Sequence, residues 1–417
     1  PPHYKCSALP IAPSRLVPCE YRTSLACSSA WPRLVAGGVI MSSKIGGVQA
    51  LRGLAILMVA IFHFTTRYAP STPGQSNPYP YGNFFAPWAP LLNQGKLGVE
   101  LFFMISGFVI SLTLSRLKNF KHFALKRLVR LWPALVIALP ILWVGLQFTP
   151  GFEASSSRLI DLLWSFTLVN PSVAFGLSGG AISLNFTTGV LWSLSVEIMF
   201  YLLAAATYFY TRNFLRSQIA IAVALLPLAI LAYQPIWPLN APMLAALTPL
   251  MQLADNYFWF LGGIAVFVIH FQGGGTKIWV LYASCWLATC ITAWAPGVEN
   301  LPWFLLVNTL IFAVFASVAF ENQMWLKAKP LAALGDISYE YYLIHEAFGI
   351  SLLQLVGQQV GLNSPLLALL PLVLAVPIAF CLKRYWSDFV GKKWSELLRT
   401  TPTGQLEPNH NQHHNQA

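Results

Sequence analysis

The sequence predicts an all-α, polytopic membrane protein of about ten transmembrane helices with both termini in the cytoplasm. Hydrophobic residues make up 56% of the 417-residue chain and charged residues 9%, whereas soluble domains carry about 25% charge. The apolar residues fall into ten runs near the roughly 20 residues that one crossing needs. Lys and Arg are distributed one-sidedly among the connections, and cytoplasmic loops are the ones that keep positive charge.

The runs are 48–66, 97–114, 134–149, 190–209, 218–236, 257–271, 278–294, 301–320, 333–356 and 364–383. The first opens the hydrophobic part of the chain after "SSKIGGVQ". The second follows a loop rich in Pro, Tyr, Phe and Trp, residues 67–90, whose aromatic rings suit either sugar stacking or anchoring at the membrane interface. The third follows the most basic stretch of the chain, "SRLKNFKHFALKRLVRLWP". Between the third and fourth, Asp161 to Gly176 is apolar but is followed by Asn, Pro and Gly, so it reads as a re-entrant or surface segment rather than a full crossing. The remaining runs are separated by short polar or Gly- and Pro-containing links. With the N-terminus inside, seventeen Lys and Arg after Met41 fall on the inner side, against Arg67, Lys96 and Arg158 outside. An odd number of crossings would scramble that pattern.

The formal charge of +11 therefore reads as topology and contact with anionic lipid headgroups, not nucleic-acid binding. Residues 1–40 hold Cys6, Cys19 and Cys27, lack both a helical period and the apolar core of a cleavable signal, and read as a disordered or spurious extension, with Met41 as the start. Residues 41–385 form the membrane domain and 386–417 a cytoplasmic tail ending in the polar "NHNQHHNQA". Cys285, Cys290 and Cys381 lie in apolar runs, and no disulfide framework or metal-ligand spacing is visible. No metal is expected.

Ionisable groups inside lipid are costly and mark functional candidates. In "LRGLAILMVAIFHF", Arg52 and His63 are eleven residues apart, which is three turns plus about 20°, so both lie on one face with roughly 16 Å between them. Arg52 near the inner surface suits either snorkelling or a functional role, and His63 in the outer half either a structural hydrogen bond or chemistry. The second run opens "GKLGVELFFMISGFVIS", with Glu100 near the outer end; Gly98, Ser106 and Gly107 are explained as well by close packing as by function. Arg127 and Arg130 suit either lipid headgroups or a phosphate, to which Arg offers forked donors. The fourth run, "LWSLSVEIMFY", carries Trp192, Ser193 and Glu197. The ninth, "LGDISYEYYLIHEAF", carries Ser338, Tyr341, Tyr342 and His345 at helical spacing. Basic residues thus gather at the inner mouth, with His63, Glu100 and Glu197 further out.

These five segments, in this order, resemble the successive signatures of acyltransferase family three, the integral-membrane O-acyltransferases of bacterial envelopes, over about residues 45–385. The resemblance implies transfer of an acetyl or other short acyl group from cytoplasmic acyl-CoA, most simply acetyl-CoA, to a hydroxyl of an exported or cell-surface saccharide or glycolipid, in the inner membrane. It maps the family's first-helix signature onto Arg52 and His63, its basic motif onto Arg127, Arg130 and Pro133, and its fourth-helix motif onto Trp192, Ser193 and Glu197. The basic motif often has two adjacent arginines, where this chain has Lys126 and Arg127. On this reading His63 is the general base, oriented by Glu100 or Glu197. Arg52, Arg127 and Arg130 bind the donor, and Ser106, Trp192, Ser193, Ser338, Tyr342 and His345 line the pocket. An acyl-enzyme route through His or Ser is the alternative chemistry. A secondary transporter or exporter is the alternative function, although no internal repeat or matched pair of broken helices supports it.

Overall fold

The computed structural model describes residues 46–69, 77, 79–149, 156–231, 240–294, 300–320, 328–357, 361 and 363–400. The expected extension 1–40, the start at Met41 and the end of the tail lie outside the described residues. Among these residues there are helices and no strands. The helices are α1 (Gly46–Thr65), α2 (Ala89–Leu92), α3 (Gly98–Ser115), α4 (Phe120–Leu146), α5 (Leu159–Ser165), α6 (Ser172–Leu177), α7 (Leu191–Tyr210) and α8 (Phe214–Leu231). They continue with α9 (Ala241–Gln272), α10 (Thr276–Trp294), α11 (Leu301–Ala316), α12 (Lys329–Asp336), α13 (Ser338–Leu355), α14 (Leu369–Cys381) and α15 (Asp388–Thr400).

Seven helical stretches among the described residues are long and apolar enough to cross a membrane: those containing α1, α3, α4, α7, α9, α11 and α14. The other three sequence runs correspond to α8, whose apolar stretch is shorter, and to α10 and α13, whose polar side chains lower their hydropathy. The segment from Asp161 to Gly176 forms two short helices, α5 and α6, too short to cross.

The basic stretch before the third run is helical. α4 starts at Phe120, with the Asn119 side chain accepting a hydrogen bond from the His122 backbone N–H at 2.9 Å, as an N-cap does. Arg127 and Arg130 therefore sit on a continuous 27-residue helix that carries Pro133 and Pro140 inside it. Periodicity failed to show this because charged residues and a proline interrupt the apolar run. The ninth run is broken as well. α12 ends at Asp336, α13 begins at Ser338, and the Ser338 hydroxyl donates to the Gly335 carbonyl at 2.8 Å.

Two crossings explain the packing. Gly53 of α1 lies against the Leu331 carbonyl of α12, and Gly335 of α12 against the Gln49 carbonyl of α1. Gly107 of α3 and Gly263 of α9 interlock in the same way with Phe260 and Met104. A Cβ at any of the four would collide with backbone, and small residues are how membrane helices come this close. α9 is buried along most of its length at the centre. α13, the most polar long helix, is enclosed by α1, α4 and α14, and that position gives its ionisable groups protein instead of lipid as neighbours.

Candidate active site

α1 carries Arg52 towards one end of the bundle and His63 at the other. The carbonyls freed at the end of α1 are captured by the aromatic loop. The Tyr79 hydroxyl donates to the His63 carbonyl at 2.6 Å, and the Tyr81 hydroxyl donates to the Phe64 carbonyl. The two rings stack with centroids 5.3 Å apart, and both are buried. In these two tyrosines, at least, the loop's aromatics cap a helix and hold the histidine in place, a role that composition alone does not disclose.

His63 is 8% exposed. Its Nδ1 lies 2.9 Å from the Val59 carbonyl oxygen and 3.3 Å from His345 Nε2, and its Nε2 lies 3.3 Å from Glu346 Oε1. Backbone carbonyls only accept, so Nδ1 carries the proton that faces Val59, and Nε2 is the atom directed at the carboxylate. His345, fully buried, has its own Nδ1 2.8 Å from the Tyr342 carbonyl, so its Nε2 is the acceptor facing His63.

Glu346 is the residue that sequence reasoning passed over. It accepts from the Tyr68 hydroxyl on Oε1, and on Oε2 from the Thr188 hydroxyl at 2.9 Å and the Val190 backbone N–H at 3.0 Å. Burial, together with the adjacent Glu346 carboxylate, holds the Tyr68 phenol well above its ordinary range and so keeps it a donor. The signal was present in the sequence: "LIHEAF" puts a second ionisable group beside His345 deep in an apolar run, an arrangement that requires a partner.

Thr188 and Val190 come from the connection between α4 and α7, which is locked in place. The fully buried Asp161 accepts from Arg158 Nε at 2.6 Å and Nη2 at 2.8 Å, from Ser156 Oγ at 2.5 Å and from the Asn185 N–H at 3.0 Å. Ser165 Oγ accepts from the Thr187 N–H at 2.8 Å. Desolvation raises the Asp161 carboxyl's pKa, but the bonds from Arg158, Ser156 and Asn185 outweigh it and hold the group below its ordinary range.

The structure divides the sequence candidates between two ends. Glu197 accepts from the Ser106 hydroxyl and from the Tyr201 hydroxyl, the latter at 2.5 Å. It lines a cavity of about 70 Å³ with Arg52, Arg127, Arg130 and Ser338. Arg127 also donates to Thr113 Oγ1 at 3.0 Å and sits over the rings of Phe123 and Tyr201. Glu100 and Trp192 line a cavity of about 730 Å³ with His63, Arg67, Lys96 and Glu346. Among the described residues, the carboxylate within 4 Å of a His63 ring nitrogen is that of Glu346, not of Glu100 or Glu197. Ser193 lies 2.8 Å from the Tyr342 hydroxyl.

A third cavity of about 470 Å³ opens beyond Arg52 and Arg130, with Lys383 at its wall. Lys383, which in the sequence stands out only as an inner-side charge, pairs with Asp336 at 3.0 Å and Asp388 at 3.3 Å. The cavities follow one another. The largest and the smallest share Val99 and Tyr342, and the smallest and the third share Arg52, Val109, Arg130 and Tyr339. Through these shared walls the three cavities adjoin, in a path with three arginines at one end and a His–Glu pair at the other.

Residues 45–384 match the family model described as an acyltransferase domain. The chain is 26% identical over 270 residues to nodulation protein 10 of Rhizobium leguminosarum bv. viciae, covering 60% of this chain and 70% of that protein. It is 24% identical over 376 residues to the O-acetyl transferase of Shigella phage Sf6, covering 85% of this chain and 97% of that protein. No solved structure matches the chain. Since the family model spans most of the sequence, including both ends of the path, the chain belongs to this acyltransferase family and is a multi-pass membrane acyltransferase.

Proposed function

We propose that the protein moves an acetyl or other short acyl group from cytoplasmic acyl-CoA to a hydroxyl of an exported or cell-surface saccharide, with His63 as general base. The carrying observation is the row of adjoining cavities between the arginine end and the His63–Glu346 pair, each sharing wall residues with the next. In this reading the chain crosses the inner membrane ten times with both termini inside, so the arginine end faces the cytoplasm and the large cavity faces out.

Arg52, Arg127, Arg130 and Lys383 are suited to the phosphates of the donor, since guanidinium groups offer paired donors to phosphate oxygens. The thioester would extend along the path towards His63. The acceptor hydroxyl oxygen attacks the thioester carbonyl as its proton passes to His63 Nε2. The C–S bond then breaks, the thiolate takes up the proton released by the imidazolium, and an ester and free CoA result. Glu346 sits where it would stabilise the imidazolium through its charge, and Val59, with His345, keeps the proton on Nδ1. Glu197, bonded within the arginine end, would balance the guanidinium charge there rather than orient His63. The large cavity, with Phe62, Phe85 and Trp192 beside Asn83, Asn93 and Gln94, offers the mix of aromatic faces and amides that suits a sugar. The relative from phage Sf6, named an O-acetyl transferase, supports the same class of reaction.

The test is the mass of surface glycans from a strain lacking the gene, compared with its parent. Loss of one acyl increment, restored by the parental gene but not by the His63→Ala gene, is expected. Identical glycan masses, with the parental protein confirmed in the membrane, would overturn the reading.

A further inference from the structure

The three cavities differ greatly in volume, and the smallest, which the arginines line, adjoins the one that His63 lines. His63 lines only the outer cavity of about 730 Å³, whereas Arg127 lines only the middle one of about 70 Å³. Any acyl group delivered from the arginine end must therefore pass from the middle cavity to the outer one, where Val99 and Tyr342 are the shared walls. Neither wall yields easily. Val99 is β-branched, which stiffens its first torsion in a helix, and it is buried on α3. The Tyr342 hydroxyl is held by Ser193 Oγ at 2.8 Å and donates to the Val190 carbonyl at 3.3 Å, and the Phe102 ring packs edge-on against it at 5.9 Å.

We propose that Val99 and Tyr342 form a neck that selects the acyl group by its cross-section, admitting acetyl and other slender chains and rejecting branched ones. The proposal rests on the donor reading above. Because the acyl group leads and the CoA follows, the neck meets the acyl tail first; the outer cavity beyond has room for it. Selection is then by width at one point rather than by the depth of a closed pocket. Branching at the carbon next to the carbonyl is the feature most strongly rejected. Rejection of one misfitting methyl group in an apolar passage is commonly about 10- to 200-fold.

The experiment uses membranes carrying the full-length protein and their own glycan acceptor, supplied with radiolabelled acetyl-, butyryl- or isobutyryl-CoA, with incorporation into glycan as the readout. CoA affinity and melting temperature are measured on the purified full chain. For the parent, acetyl is expected to exceed isobutyryl by about 10-fold or more. In Val99→Ala the isobutyryl-to-acetyl ratio should rise by about 10-fold, whereas Val99→Thr, of similar width, should keep the parental ratio. Val99→Phe should lose acetyl transfer while CoA without an acyl group still binds, since Arg52, Arg127 and Arg130 keep their side chains. A parental ratio in folded Val99→Ala, or parental acetyl transfer by Val99→Phe, overturns the neck alone. If the parent incorporates no label from any acyl-CoA, the donor reading fails and the neck falls with it.

Discussion

Glu346→Gln removes one charge and leaves the outline of the side chain intact. The amide oxygen can still accept from the Thr188 hydroxyl and the Val190 N–H, with the amide nitrogen turned towards Tyr68 and His63. The missing quantity is the attraction between the carboxylate and the imidazolium that forms when His63 takes the acceptor's proton. At the 3.3 Å separation of Nε2 and Oε1, two unit charges attract by about 5 kcal/mol at an effective dielectric of ~20. If about half of the charge has developed in the transition state, about 2.5 kcal/mol is lost, which is roughly a 10²-fold fall in kcat. The assay is acyl-CoA turnover by the purified full chain in detergent with acceptor glycan, alongside CoA affinity. Glu346 lines neither the middle cavity nor the one beyond it, so CoA affinity should stay within about 2-fold of the parent's. A folded Glu346→Gln protein whose kcat lies within about 3-fold of the parent's would refute the electrostatic role.

Changing Arg127 and Arg130 together to Gln should weaken CoA binding by about 2 to 5 kcal/mol, the scale expected when charge-assisted phosphate bonds are removed from a partly buried site; isothermal titration with CoA measures it, and unchanged affinity would return both residues to a purely topological role. Asp161→Asn should lower stability by about 1 to 3 kcal/mol, because it weakens the charged hydrogen bonds that the carboxylate accepts, read as a fall in melting temperature. The depressed Asp161 carboxyl contributes stability above its unfolded-state pKa of about 3.9 and loses it as pH falls through the lower folded value, so the parent should weaken at acid pH in a step that Asp161→Asn lacks. For orientation, an impermeant thiol reagent on intact cells should label a cysteine introduced at Ser76 and spare one at Ser395; the opposite pattern would reverse the topology.

Much of the candidate site was legible because membranes make polar residues conspicuous. Arg52 and His63 stand out in an apolar run, and the helical period alone places them on one face. The structure divides the rest between two ends, with His345 beside His63, with Ser106, Ser193, Glu197, Arg127 and Arg130 lining the middle cavity with Arg52, and with Tyr342 on the wall common to both. The partner of His63 was hidden for a different reason. Glu346 comes from α13, 283 positions further on, and its other hydrogen bonds come from Tyr68 and from Thr188 and Val190. No local period connects those segments, because the meeting is set by helix packing. Hydropathy also misplaced the start of α4, whose basic first half begins at Phe120 with Asn119 as its cap. It missed the break at Ile337 too, where the interlocked Gly53 and Gly335 let α12 lie against α1.

The most direct test of the account compares His63→Ala with Arg52→Ala on one set of purified proteins, with turnover as the deciding measurement. If His63 moves the proton, its removal should leave the melting temperature and CoA affinity near parental values while transfer falls by about 10² to 10⁴-fold. Arg52→Ala should instead act chiefly on CoA affinity, since Arg52 lines the two cavities at the arginine end and not the outer one. A His63→Ala protein that is folded, binds CoA and turns over at the parental rate would contradict the central claim.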